Sequence, residues 1–214
     1  MSFLYFGPDK VRTLIELASG FTKRLDAMIL CEGSEDSQDL YALTAKLKIS
    51  FQEQVGLSSC GGVTELQQVA PCVSALARVS RSLRRIALIV DANGSTVNER
   101  VGSLVQSLNS HNVSTENLDL VSGSIYKADS GNLKLLIKIA GEMSLPFKRH
   151  ERDDYAVQLL LLNGEITMND LAGFSKSSDF LSSCNKKSDR IISGSAEAKV
   201  REAYGNIVNL LQML

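Results

Sequence analysis

Two short apolar runs, Ala27-Met-Ile-Leu-Cys31 and Arg85-Ile-Ala-Leu-Ile-Val90, each stop at an acidic residue and are each followed by a helical pattern. A strand with one wet face alternates apolar and polar residues, whereas an unbroken apolar run suits a strand buried on both faces. Such strands belong to sheets with helices on both sides, where a strand, a turn and a helix join parallel neighbours by right-handed crossovers. The two runs therefore restrict the chain to an α/β fold with a mainly parallel sheet flanked by helices. Ligands of such sheets collect in the crevice outside the carboxyl ends of the strands.

The helix after the first run carries Leu40, Leu43 and Leu47 on one face, with Glu35, Asp36 and Asp39 in its first turns, where the helix dipole favours negative charge. The helix after the second run carries Val97, Val101, Leu104, Val105 and Leu108, and Thr96 and Glu99 have capping-box spacing at its start. Around these units, the pattern predicts a helix from Pro8 to Gly20 and a strand within 49–60. Gly61-Gly62 break the chain before a helix that begins at Thr64, with Gln67 at capping-box spacing. Leu118–Val121 and Leu133–Ile139 read as strands, although the second also suits a short helix.

From Glu151 onward the pattern turns helical: 155–162, pieces of 169–184, and a final helix over 195–214. Val200, Ala203, Tyr204, Ile207, Val208, Leu211 and Leu214 give that last helix a broad apolar stripe, to be covered by its own domain or by a second copy of the chain in a homo-oligomer. The expected division is an α/β domain with an N-terminal helix over 1–150 and a helical extension packing on it over 151–214.

A chain of 214 residues supports one main core. Its formal net charge of −1 gives no global attraction to nucleic acid or an anionic membrane. No apolar run approaches the ~20 residues of a membrane span, and the first residues lack a secretion-signal pattern, so a cytoplasmic protein without a membrane partner is expected. Cys31, Cys60, Cys72 and Cys184 match no zinc or redox spacing and read as buried free thiols. His111 and His150 lie far apart and read as surface residues. No phosphate-binding glycine loop, dinucleotide fingerprint or nucleophile elbow is present. With no Trp and 6% aromatic residues, recognition of nucleic acid by base stacking is unsupported, and phosphate contacts would have to dominate.

The two strand exits hold the chemistry. Glu32 ends the first strand, Gly33 permits a tight turn and Asp36 stands near the next helix's start; Asp91 ends the second strand. Neighbouring strands would bring Glu32 and Asp91 together, and two ionised carboxylates need a cation or strong hydrogen bonds between them. Mg²⁺, or Mn²⁺ in its place, suits hard oxygen ligands and often takes only one or two protein carboxylates. The plainer reading is that both residues cap turns at strand ends. Arg78, Arg81, Arg84 and Arg85 form the densest basic cluster and serve either as phosphate contacts or as a solvated helix end.

The succession of apolar strand, Glu32-Gly33, Asp36 and helix, then apolar strand, Asp91-Ala-Asn93 and helix, resembles the Toprim domain of topoisomerases, primases and overcoming-lysogenization-defect-type nucleases. It is most similar to small archaeal, uncharacterised Toprim-like proteins, which also place a Gly-Gly pair between the motifs, as Gly61-Gly62 does here. The resemblance spans roughly residues 25 to 160 and implies a Rossmann-like sheet. It also implies acid/base or metal chemistry at Glu32 and metal ligation at Asp91 and Asn93. Asn93 departs from the family's second aspartate, since an amide offers an oxygen but no charge. The stretch His150-Glu-Arg-Asp-Asp-Tyr155 is similar to the acidic opening of a late helix in the nuclease-like relatives, which adds Glu151 and Asp154 as supporting residues beside a plain helix-dipole role. The implied activity is Mg²⁺-dependent hydrolysis of phosphodiesters or nucleotide phosphates; the alternative is a non-catalytic binding or assembly module.

Overall fold

The computed structural model describes residues 3–5, 25–60, 70, 73–74, 76, 82–141 and 144–214. The expected helix over 8–20, the Gly61-Gly62 break, the Thr64 and Gln67 pair, Cys72, Arg78 and Arg81 lie outside the described residues. Among the described residues seven strands form one sheet: β1 (Phe3–Tyr5), β2 (Ala27–Cys31), β3 (Val55–Ser59), β4 (Arg85–Asp91), β5 (Glu116–Ser122), β6 (Ile125–Ser130) and β7 (Leu133–Ala140), in the order β1-β3-β2-β4-β7-β6-β5. The first five in that order are parallel, and β6 and β5 add antiparallel strands at one side.

Side chains alternate across the central strands, and both faces are covered. Ala27, Ile29 and Cys31 of β2 and Ala87 and Ile89 of β4 join one apolar cluster; Met28 and Leu30 of β2 and Ile86, Leu88 and Val90 of β4 join the other. This is why the sequence shows apolar runs instead of alternation. Helix α1 (Ser34–Lys46) packs Leu40 and Leu43 into the first cluster, while α2 (Val97–Ser110) packs Val101, Leu104 and Leu108 into the second. The Thr96–Glu99 capping box forms as expected, with Thr96 Oγ1 accepting from Glu99 N at 3.3 Å and Glu99 Oε2 accepting from Thr96 N at 2.8 Å.

The C-terminal region adds α3 (Asp153–Asn163), a 3₁₀ turn (Met168–Leu171), α4 (Ser177–Ser183), α5 (Ser188–Gly194), α6 (Glu197–Ala203) and α7 (Gly205–Gln212). The single final helix expected over 195–214 is instead two, because Tyr204 leaves helical geometry (φ −101°, ψ 16°) next to Gly205, a weak helix former. The apolar stripe is buried all the same: Val200, Ile207 and Leu211 lie in the cluster that also holds β2 and α1. The chain's own core covers it.

The remaining elements resolve one choice, add one strand and correct one expectation. Leu133–Ile139 is a strand and not a helix, and Lys138 within it is fully buried, its ammonium 5.9 Å from the Tyr155 ring centroid. Strand β6 was not anticipated, since only Ile125 and Ala128 of it are buried. Cys31 and Cys60 are buried as expected, but Cys184 is exposed, because it follows the last turn of the short helix α4. Among the described residues no helix is long and apolar enough to cross a membrane.

Candidate functional site

The chain's path creates a crevice beside β2. From β2 it runs through α1 to β3 on one side, whereas β4 lies on the other side, and the helices that follow β2 and β4 pack on opposite faces. Their first turns diverge, leaving the carboxyl ends of β2 and β4 facing open space, as at the switch point of other open α/β sheets. Cys31 pairs with Ile89 in register, Glu32 N donates to Ile89 O at 3.0 Å, and Asp91 ends β4 two residues further on.

Glu32 and Asp91 meet there. Asp91 N donates to Glu32 Oε2 at 3.1 Å, and both residues line a cleft of about 340 Å³ with Gly33, Asp36, Asn93 and Glu151. Glu32 is 5% exposed, and Arg100 reaches its carboxylate from α2, with Nη2 at 3.1 and 3.0 Å from the two oxygens and Nε donating to Asp91 O at 2.7 Å. Burial raises the Glu32 carboxyl above its ordinary range, opposed by Arg100 and the Asp91 N–H. Asp91 is pushed up much further, by burial first and then by the negative charges of Asp36 and Glu32. The cleft therefore holds carboxylates short of positive charge.

Arg152 organises the other side. Its backbone N–H donates to Asp91 Oδ1 at 2.8 Å; its guanidinium pairs with Asp36 (Nε to Oδ1, 2.8 Å), Asp39 and Asp153 (Nη2 to Oδ1, 2.7 Å). Asp36 also accepts from Gly33 N at 2.9 Å, so it orients the Glu32 loop and joins it to Arg152. Gly33 does not serve the turn by special backbone freedom: its φ of −104° is open to any residue, and a Cβ there would stand 3.3 Å from Asp36 Oδ2. Close approach of that carboxylate is its role.

Asn93 occupies a left-handed turn (φ 51°), a conformation that asparagine tolerates well, and donates its N–H to His150 O at 2.9 Å. Glu151 lines the cleft, yet its Oε1 accepts from Ser178 N at 2.7 Å and Ser177 Oγ at 3.2 Å, holding the start of α4. Asp154 is fully buried, turned to His150 (Nδ1 to Oδ2, 2.8 Å), and is not among the residues lining the cleft. His150 is thus a mostly enclosed, paired residue instead of a surface one, its side chain 13% exposed. The cluster at Arg84 and Arg85 stands at the opening end of β4, with Arg85 paired to Glu53. Within the strand, six steps of ~3.3 Å each separate Arg85 from Asp91.

Sequence reasoning gave no role at the site to Arg100 or Arg152. Arg100 sits one position before Val101 at the border of the α2 stripe, where an arginine ordinarily snorkels to solvent. Arg152 reads as a neighbour of its own acidic stretch, and only the fold brings Asp36 and Asp39 to it.

Among the described residues, no group of three or more His, Cys, Asp or Glu is arranged to hold a metal ion. The groups at the cleft that could ligate a cation are all hard oxygens, of carboxylates and of the Asn93 amide, a set that matches the chemistry of Mg²⁺ and of no thiophilic metal.

The chain belongs to the family described as "Protein of unknown function (DUF3226)", whose profile matches residues 26–142, the segment carrying Glu32, Asp91, Arg100 and Lys138. No curated protein and no solved structure shows significant similarity to it.

Proposed function

We propose that the protein is a Toprim-like, Mg²⁺-dependent hydrolase of phosphodiesters or nucleotide phosphates, working at the carboxyl edge of β2 and β4. The observation that carries this reading is the Glu32–Asp91 pair, linked by the 3.1 Å bond from Asp91 N to Glu32 Oε2, in a cleft where Asp91 is strongly discouraged from ionising. A divalent cation held there would relieve the repulsion among these carboxylates and would supply polarisation of a phosphoryl oxygen and a lowered pKa of water. Asp91, Asn93 and Glu32 are the residues that would hold it. Glu32, with its raised pKa, is suited to exchange a proton with the attacking water or the leaving oxygen. Arg100 keeps Glu32 aimed into the cleft and supplies positive charge beside it.

A second reading, a non-catalytic binding module, draws on one observation: Arg100 already neutralises Glu32, and Asn93 adds no charge. Turnover separates the two. With bis-p-nitrophenyl phosphate and a labelled oligonucleotide, the parent protein is expected to hydrolyse at least one substrate in Mg²⁺ or Mn²⁺ and neither in EDTA. Glu32→Gln is expected to lower that rate by about 10²-fold or more. A metal-dependent rate that Glu32→Gln leaves intact would remove Glu32 from the chemistry; no turnover with any divalent metal would favour the module.

A further inference from the structure

An anionic phosphate approaching Glu32, Asp36, Asp91 and Glu151 meets repulsion unless cations stand at the rim, and two do. Arg149 and Lys176 line the same cleft. They come from different segments, the approach to α3 and the start of α4, and are held side by side by a parallel backbone bridge, with Lys148 N and Arg149 N both donating to Ser175 O at 3.0 Å. Glu151 strengthens that placement by accepting from Ser178 N, two residues beyond Lys176. The Arg149 stem lies against the turn that follows Asp91: its Cγ is 3.5 Å from where a Cβ on Gly94 would stand.

Neither cation is consumed by the fold. Arg149 is exposed and has no carboxylate partner among the described residues. Among the described residues Lys176 pairs only with Asp179, at 3.6 Å, and that carboxylate is half exposed. Such a pairing is weak and screened by salt. The other cations near the carboxylates, Arg100 and Arg152, are both committed to ion pairs. Among the described residues no aromatic side chain lines the cleft, so nothing there stacks on a base.

We propose that Arg149 and Lys176 form a docking site for the phosphate groups of the substrate, reading phosphate charge and not base identity. The position of the dock rests on the hydrolase reading of the cleft, and its test needs neither metal nor turnover, so each can fail without the other. The probe is a fluorescent, mixed-sequence single-stranded DNA oligonucleotide, titrated with the full chain in EDTA at several salt concentrations. The parent is expected to bind, and Arg149→Gln with Lys176→Gln to weaken binding by about tenfold or more at low salt. The dependence of log affinity on log salt should become shallower by roughly 0.7 for each phosphate that the variant no longer neutralises. Arg149 is exposed and Lys176 partly so, and an unchanged unfolding midpoint shows that the double variant is folded.

Competition by ATP or by unlabelled oligonucleotide distinguishes free nucleotides from a strand as the source of the phosphate; displacement by either supports the dock. Equal binding by parent and double variant overturns the proposal, even where metal-dependent hydrolysis is found. So does a parent that binds neither the oligonucleotide nor ATP at low salt.

Discussion

Arg152→Met is expected to destabilise the fold by about 3–5 kcal/mol, the cost of breaking a buried ion pair by removing one partner. Arg152 is 6% exposed and meets Asp36, Asp39 and Asp153, so its loss leaves several enclosed carboxylates without their cation. Asp36 shows how much depends on that arrangement: burial raises its carboxyl above the ordinary range, and the leading opposing influence is Arg152. The guanidinium is in turn held charged by Asp36 and Asp153 against the effect of its own burial. Methionine keeps much of the stem's packing, so the loss reports charge. Urea denaturation of parent and variant measures it, with Arg149→Met, an exposed neighbour, expected within about 0.5 kcal/mol of the parent. A loss under about 1 kcal/mol for Arg152→Met would mean that the carboxylates find water or protons instead, and that Arg152 does not hold the extension to the site.

Asp91→Asn should split stability from activity. Asparagine has the same shape and keeps an oxygen to accept the Arg152 N–H, but it does not repel Glu32 and Asp36. The metal-free variant is therefore expected to gain on the order of 1 kcal/mol while turnover falls at least ~10²-fold. The pH dependence has a definite sign. A carboxyl whose pKa is raised on folding holds its proton more tightly in the native state, so the parent loses stability as pH rises from the unfolded pKa of Asp91 toward its folded one. The variant lacks that loss, and its advantage widens from acid toward neutral pH. Thermal unfolding of both proteins in EDTA, once in mildly acidic and once in mildly alkaline buffer, reads this directly. A variant less stable than the parent in the alkaline buffer would show that no repulsion is stored at Asp91 for a cation to relieve.

The central units were legible because their signals are local. An apolar run covered on both faces, an acid at its end and a capping pair such as Thr96 and Glu99 can each be read within a few residues, and β2, β4, α1 and α2 follow. Strand β6 was harder because it lies near the sheet's antiparallel side and buries only Ile125 and Ala128, although Gly123 (φ 55°) and Gly131 (φ 59°) punctuate it as hairpin turns. The break at Tyr204 was invisible because the apolar period continues through it. At the site, Glu32 and Asp91 were legible as strand ends, whereas Arg100 and Arg152 find their partners 68 and 116 residues away, separations that no local pattern encodes. Gly33 taught a smaller lesson: glycine before a helix suggests backbone freedom, yet here its missing side chain makes room for Asp36.

The central claim is that the Glu32–Asp91 edge takes a divalent cation, and calorimetric titration of Mg²⁺ into the metal-free parent, Glu32→Gln and Asp91→Asn tests it most directly. The account predicts saturable binding of one ion to the parent, repeated with Mn²⁺, and its loss in Asp91→Asn with weakening in Glu32→Gln. Binding that survives both substitutions would place the ion elsewhere, and a parent that binds neither metal, with or without oligonucleotide present, would contradict the claim.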